Sequence, residues 1–164
     1  MNINIIVSVS ENWAIGKNNK LLWKLSSDLQ RFKNITDDHV VIMGQKTMES
    51  LPKKYLPNRK NIVLTDNPNF SSENTIPAYS IADALNKANH YEKNGEIFII
   101  GGGSIYKQFL PLSNKLYITI VHTEIEGDTY FPKINEFEWK LEFSEIKEKD
   151  DKNEYSHTYK IYTK

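Results

Sequence analysis

The chain of 164 residues contains no cysteine. That excludes a disulfide framework and thiolate chemistry. It has no block of Lys and Arg either, since 21 basic residues balance 21 acidic ones to a formal net charge of zero. Proteins that track a phosphate backbone carry a basic stripe, so nucleic acid is not expected as a partner. No apolar run approaches the roughly 20 residues that a spanning helix needs. The first residues, Met1 to Val7, lack the basic stretch and cleavage site of a signal peptide. No membrane partner is expected, and the expected location is cytoplasmic. The four histidines, His39, His90, His122 and His157, are scattered. None pairs with another histidine or a cysteine at a ligand spacing, so no zinc site, catalytic triad or other metal centre is expected. Repeats, low-complexity tracts and linkers are missing too.

What remains is a globular composition, 39% hydrophobic and 12% aromatic, of a length that suggests one domain over residues 1–164 with a real core. The most informative stretch runs from Leu21 to Phe32. Leu25, Asp28, Leu29 and Phe32 stand at i, i+3, i+4 and i+7, one face of a helix. A carboxylate in that stripe is costly unless a cation, a metal or a hydrogen-bonding ligand pairs with it. A plainer account is also open: Ser26 caps the helix and Asp28 complements its dipole.

Around this stretch the pattern alternates strand and helix. Ile3–Val9 reads as a buried strand, followed by a polar loop, Glu11–Lys20, with Gly16, Asn18 and Asn19, a candidate flap over a site. His39–Met43 is a second buried strand, ended by Gly44, and Gln45–Ser50 a short helix. The Gly-Gln-Lys-Thr run at 44–47 matches a P-loop poorly, although a strand–Gly–helix junction can still bind an anion. After a turn at Leu56–Arg59 comes strand Asn61–Thr65, then loop Asn67–Asn74. Ser80 with Asp83 predicts a capped helix that Gly95 closes. Ile97–Ile100 is a strand, and Ser104–Leu110 a helix stopped by Pro111. Between them Gly101, Gly102 and Gly103 permit positive φ and close backbone approach, suited to a pyrophosphate or a flat ring, or simply to a tight turn. Lys115–Val121, Trp139–Lys147 and Tyr155–Tyr162 are strands, the last two a hairpin joined by the polar Glu148–Glu154 turn. The expected fold is α/β: a mostly parallel central sheet flanked by helices, with a C-terminal antiparallel hairpin.

Taken together these residues resemble the dihydrofolate reductase family from about Ile3 to Tyr162. The resemblance is carried by an ordered set: Ile15-Gly16, Leu22-Trp23, Asp28, Val41-Ile42-Met43-Gly44 with Lys46-Thr47 and Glu49-Ser50, Leu56-Pro57-Asn58-Arg59-Lys60-Asn61, Ile100-Gly101-Gly102-Gly103 with Ile105-Tyr106, and Glu126-Gly127-Asp128-Thr129 with Phe131-Pro132. It implies hydride transfer from NADPH to C6 of dihydrofolate with a proton added at N5, in support of one-carbon and thymidylate metabolism, by a monomer that is a target of antifolates. Asp28 would bind the 2-amino and N3 side of the pterin, hydrogen-bonded by Thr119. Val7 and Ser8 would line the pterin, with the carbonyls of Ile6 and Ile100 at its edge. Leu29, Phe32 and Leu51 would hold the aromatic middle, and Arg59 the glutamate α-carboxylate. Leu21 and Trp23 would belong to the closing loop. Gly101, Gly102, Gly103, Ser104, Ile105 and Tyr106 would hold nicotinamide and pyrophosphate, Tyr106 also standing near the reacting ring. Gly44, Gln45, Lys46 and Thr47 would hold the other phosphates, and Ser8, Ile15, Gly16, Leu64, Thr65 and Asp66 the rest of the cofactor.

The chain departs from the family at four places. Leu22 stands where Pro is usual before the tryptophan, Gln45 where many members have Arg, Asp66 where many have Ser, Thr or Arg, and Tyr79 where some have Lys. The first makes the loop less stiff. The others leave Lys46 as the evident cation for a 2′-phosphate and bring the preference for NADPH over NADH into question. Two further readings are a related reductase acting on a pyrimidine intermediate of riboflavin synthesis, and a non-catalytic nucleotide-binding module. The first lacks a reason for Arg59, the second for Asp28 on an apolar face.

Overall fold

The strand nearest the N-terminus, β1 (Asn2–Ser10), is the middle of the sheet in a computed structural model that describes residues 1–18 and 20–164. Alternate β1 residues enter two different cores. Ile5, Val7 and Val9 pack with Ala84, Ala88 and Phe109 on one face, while Ile6 packs with Val41, Met43, Met48 and Phe98 on the other. Burial on both faces is why this strand reads as a mostly apolar run and Ile97–Ile100 as an unbroken one.

In chain order there follow β2 (Ala14–Gly16), α1 (Ser26–Thr36), β3 (Val40–Gly44), α2 (Gln45–Ser50), β4 (Lys60–Leu64), β5 (Thr75–Ala78), α3 (Ile81–Tyr91), β6 (Glu96–Gly101), α4 (Gly103–Phe109), β7 (Lys115–Val121), β8 (Thr129–Tyr130), β9 (Lys140–Lys147) and β10 (His157–Thr163). Eight strands form one sheet in the order β5-β4-β3-β6-β1-β7-β10-β9. The first six are parallel, and β10 runs antiparallel to both β7 and β9. The expected α/β architecture and its antiparallel finish are therefore present. Because β1, β3, β4 and β6 are parallel, their carboxyl ends share one edge of the sheet.

Three short strands escape the sequence pattern. The Glu11–Lys20 segment contains β2, which pairs with β8 across 115 or so intervening residues; Asn19, placed in the same loop by the sequence, lies outside the described residues. The third is β5, the sheet's outer strand on that side, where Pro77 is tolerated because it has no ladder partner to donate to beyond β4. Helix α3 is capped as expected. The Ser80 hydroxyl accepts the Asp83 N–H at 3.0 Å, and the Asp83 carboxylate accepts the Tyr79 N–H at 3.0 Å. Helix α4 starts one residue earlier than the spacing predicts and gives way to a 3-10 turn over Leu110–Leu112 that absorbs Pro111.

The start of α1 differs from expectation. Leu25 is the N-cap, lies outside the helix and is 2% exposed, and Ser26 makes no capping bond. Leu29 is 52% exposed, so the stripe read through it is not the buried face. The inward positions are Asp28, Phe32, Ile35 and Thr36. Capping comes instead from the far end of the chain. The Asn153 Oδ1 accepts the Ser27 N–H at 3.0 Å, and the Lys152 carbonyl accepts the Ser26 N–H at 3.3 Å. Asn153 is 3% exposed, and its amide also donates to Ser27 Oγ at 3.0 Å and Asp150 Oδ1 at 2.8 Å. The polar turn between β9 and β10 is thus a structural clamp on α1. Asn153→Ala is expected to cost about 0.5–2 kcal/mol, because it removes the side-chain cap from a part-buried helix donor. Urea unfolding will check this, and a cost near zero would mean that α1 is held without the clamp.

Candidate functional site

The inward face of α1 meets β7 at Asp28. The Thr119 hydroxyl donates to Asp28 Oδ1 at 2.7 Å, and Thr119 is 3% exposed. In register, Thr119 lies opposite Ser8 of β1 and Tyr159 of β10. The Trp23 indole N–H donates to Ser8 Oγ at 3.1 Å, which fastens the segment before α1 onto the same floor. Burial raises the Asp28 carboxyl pKa above its ordinary value; the Thr119 hydrogen bond, then the nearby His157 and Arg31 and the Ser8 hydroxyl, pull the other way. A buried carboxyl with a raised pKa is a candidate functional group.

Three polar groups around Asp28 were not singled out in the sequence. The Arg31 guanidinium lies 4.1 Å from the centroid of the Tyr159 ring. His157 is fully buried, with Nδ1 3.1 Å from the Tyr155 carbonyl and Nε2 3.2 Å from the Tyr159 hydroxyl. A carbonyl only accepts, so Nδ1 carries a proton and donates it to the Tyr155 carbonyl. Arg31 follows Asp28 by three residues on α1, whereas His157 and Tyr159 carry no local sequence signal, because the pairing of β10 with β7 brings them to Asp28.

Farther along α1, Phe32 and Leu51 pack against the core of Ile6 and Phe98. Thr36 ends the helix, and its Oγ1 accepts from Arg59 Nη1 at 3.0 Å, while Arg59 Nε donates to the Pro57 carbonyl at 2.9 Å. These bonds fix the guanidinium and occupy two of its five N–H donors. Asp28 and Thr36 are eight helical residues apart, about 12 Å at the helical rise. An elongated ligand lying along this face meets an acceptor at one end, apolar walls in the middle and a cation at the other. Arg59 also borders a second cleft of about 460 Å³.

A larger cleft, about 860 Å³, crosses the carboxyl ends of the parallel strands. It is lined by Val7, Ser8, Ile15, Gly16 and Leu21, by Gly44, Gln45, Lys46 and Thr47, by Leu64, Thr65 and Asp66, and by Ile100, Gly101, Gly102, Gly103, Ser104, Ile105 and Tyr106. Every residue assigned to the cofactor by resemblance is thus in one cavity. Asp28, Leu29, Phe32, Leu51, Trp23, Thr119, Ile6 and Arg59 are outside its lining, and Ser8 connects the two regions. Lys20, Glu49, Ser50, Asn67 and Thr129 also line the cleft and were not assigned to it. Tyr79 does not line it; its exposed ring has the Lys87 ammonium 5.5 Å from the centroid.

Room for a side chain is scarcest at Gly103, where the two turns meet. A Cβ on Gly103 would lie 2.6 Å from the Thr129 methyl, one on Gly44 3.1 Å from the Ile105 side chain, and one on Gly102 3.4 Å from Thr47 Oγ1. The Gly101–Gly102 peptide is cis. Tyr106 braces the turn from below: its hydroxyl donates to the Ile6 carbonyl at 2.9 Å, and burial pushes its pKa far up, so it remains a neutral donor.

The family profile described as dihydrofolate reductase matches residues 2–164. A dihydrofolate reductase of Bacillus subtilis is 42% identical over 162 residues, covering 99% of this chain and 94% of the relative. One of Haemophilus influenzae is 41% identical over 164 residues, covering 100% and 99%. Among solved structures, dihydrofolate reductase from Enterococcus faecalis complexed with NADP(H) and RAB-propyl superposes with a TM-score of 0.92 at 36% identity, covering 99% of this chain and 95% of that one.

Proposed function

The chain belongs to the dihydrofolate reductase family, and on that premise we propose how its residues divide the work. The reaction is the reduction of dihydrofolate to tetrahydrofolate with NADPH. Membership sets aside the pyrimidine reductase and the non-catalytic module. The observation that carries the assignment of roles is the Asp28–Thr119 bond of 2.7 Å beside the cleft.

Asp28 accepts from the 2-amino group and ring N3 of the pterin, which gives its buried charge the partner it needs. Thr119 holds one carboxylate oxygen and leaves the other for the ligand. The negative charge favours protonation at N5 from outside the carboxyl, so Asp28 acts on the ring electrostatically and does not hand over its own proton. Phe32, Leu29 and Leu51 flank the aromatic middle of the substrate. Val7, Ser8 and the Ile6 and Ile100 carbonyls form the edge of the pterin pocket, while Leu21 and Trp23 close over it and keep water out. The larger cleft fits a dinucleotide, being long, continuous and floored by glycine where the backbone must come close. Reduced nicotinamide supplies the hydride when it is bound there. Gly101 to Tyr106 hold its nicotinamide and pyrophosphate end, Gly44 to Thr47 the other phosphates, and Ile15, Gly16 and Leu64 to Asp66 the flanks. The sheet running through the whole chain supports one domain over residues 1–164. We read the enzyme as a monomer of the cytosol, where one-carbon transfer to thymidylate takes place. Gel filtration will test its size.

Oxidation of NADPH that depends on dihydrofolate, followed by absorbance in folded protein, tests the reading, and its absence would overturn it. Arg59 offers a sharper check. Burial lowers the guanidinium pKa and the Asp37 carboxylate pulls it back, a setting for a carboxylate partner. Arg59→Ala is expected to raise the KM for dihydrofolate about 10- to 100-fold, the worth of a charged hydrogen-bond pair, without changing the KM for a dihydropterin that lacks the glutamate tail. Equal changes for both substrates would remove Arg59 from the tail site.

A further inference from the structure

Sheet order sets the direction of a dinucleotide in the cleft. The hydride acceptor lies beside Ser8 at the end of β1. The cleft then passes the end of β6 at Gly101–Gly103 and of β3 at Gly44, and reaches the end of β4 at Leu64–Asn67. With strands about 4.8 Å apart, β4 lies roughly 14 Å from β1. The adenosine farthest from the nicotinamide therefore falls at β4, on Thr65, Asp66, Asn67 and the start of α2.

NADPH differs from NADH only there, by a phosphate on the adenosine 2′-oxygen. The described side chains at this end of the cleft include one cation, Lys46, and two carboxylates, Glu49 and Asp66. Gln45 stands between them, and its amide is committed: Oε1 accepts the Thr65 hydroxyl at 2.6 Å, and Nε2 donates to Glu49 Oε1 at 2.9 Å. The Thr65 oxygen in turn accepts the Asn67 N–H at 3.1 Å. Gln45, Thr65 and one Glu49 oxygen are thus tied to one another, and the formal charge of Lys46, Glu49 and Asp66 together is that of an acid. The layout is strand, glycine, helix, strand, acid, with Asp66 at the end of the parallel strand after the Gly44 turn. In dinucleotide sites of that layout an acid about 20 residues past the glycine turn accepts from a free ribose 2′-hydroxyl, and an arginine accommodates a 2′-phosphate. A carboxylate repels a phosphate that carries nearly two charges.

We propose that Gln45, Glu49 and Asp66 make the adenosine end of the cleft nearly indifferent to the 2′-phosphate, so that NADH as well as NADPH is a productive hydride donor for this enzyme. The hydride would pass from the reduced nicotinamide of NADH to C6 of dihydrofolate and a solvent-derived proton to N5, giving tetrahydrofolate and NAD⁺. The inference rests on the placement of the dinucleotide in this cleft.

The experiment has two arms. One compares kcat/KM for NADPH and NADH with dihydrofolate. The other measures by calorimetry the Kd values of adenosine 2′,5′-bisphosphate and adenosine 5′-monophosphate, which needs no turnover. Both preferences are expected below about tenfold, less than one good cation–phosphate contact provides. A preference of tenfold or more for the 2′-phosphate in either arm would overturn the proposal. The double variant Gln45→Arg with Asp66→Ser, both at the cleft rim, is expected to raise both preferences at least tenfold. No change in that variant would mean that these residues do not set the specificity. If neither donor supports turnover in folded protein while the two adenosine nucleotides bind alike, the reductase assignment fails and the claim for NADH as a donor fails with it, whereas the indifference of the adenosine end to the 2′-phosphate stands.

Discussion

Asp28→Asn is expected to slow hydride transfer to dihydrofolate by roughly 10²- to 10⁴-fold in single turnovers, the range over which one positioned charge or acid–base group acts. The Kd for NADPH should change less than about twofold. The substitution keeps shape, and the Thr119 hydroxyl can still donate to the amide oxygen. What changes is the other half of the group. A carboxylate oxygen that accepts from the pterin becomes an NH2 that meets the pterin's own donors, and the negative charge is gone. A structural role for Asp28 would instead lower stability and move both constants together, and that outcome would sink the assignment. Stability separates the two accounts further. Burial raises the Asp28 pKa above its ordinary 3.8, so between 3.8 and the raised value the native state binds more protons than the unfolded chain. Stability then falls as pH rises through that window, and above it the charged group is a net cost to folding. The asparagine variant should therefore melt higher than the parent at pH 7, and the gap should close as the pH approaches 3.8. A catalytic group kept at the expense of stability behaves in this way.

The same helix marks the boundary of what the sequence could reveal. The Leu21–Phe32 stretch announced a helix and a carboxylate on its inner side, because that information is periodic and local. Its start was misplaced because the cap is Asn153, 126 residues from Ser27. Including Leu25 in the stripe rotated the inferred face toward Leu29, which is not buried in the core. Strands β1, β3 and β6 were plain because each is buried on both sides. Strands of two to four residues such as β2, β8 and β5 are too short for a period to emerge, and Pro77 argues against one until the edge position is known. At the cleft, glycines showed themselves through what their own backbone allows. Glu49, Asn67 and Thr129 had no such local mark and joined the cleft only when the strands were set side by side. The family resemblance supplied Thr119 and Arg59, whose partners lie 91 and 23 residues away and could not be deduced from spacing.

Gly101→Ala is expected to cost about 2–5 kcal/mol of folding stability and to weaken NADPH binding at least tenfold. Two effects add at this position. Its φ of +123° is one that L side chains rarely adopt, a backbone cost of about 1–3 kcal/mol. A Cβ there would also lie 3.3 Å from both Cε2 and Oη of Tyr106. That ring has nowhere to go: it is 5% exposed, its centroid stands 5.2 Å from that of Phe131, and its hydroxyl is held by the Ile6 carbonyl. Relief must come from the turn itself, so the change that destabilises the fold also shifts the backbone facing the cofactor. Gly95→Ala separates the two effects. Gly95 also has positive φ, +80°, but nothing lies within 4 Å of its added Cβ. It should show the backbone cost alone, about 1 kcal/mol, with the Kd for NADPH unchanged. The difference between the two variants in urea, at equal m-values, measures how firmly Tyr106 braces the glycine turn against β1. Equal costs would show that the brace is absent and that the turn is shaped by its backbone alone.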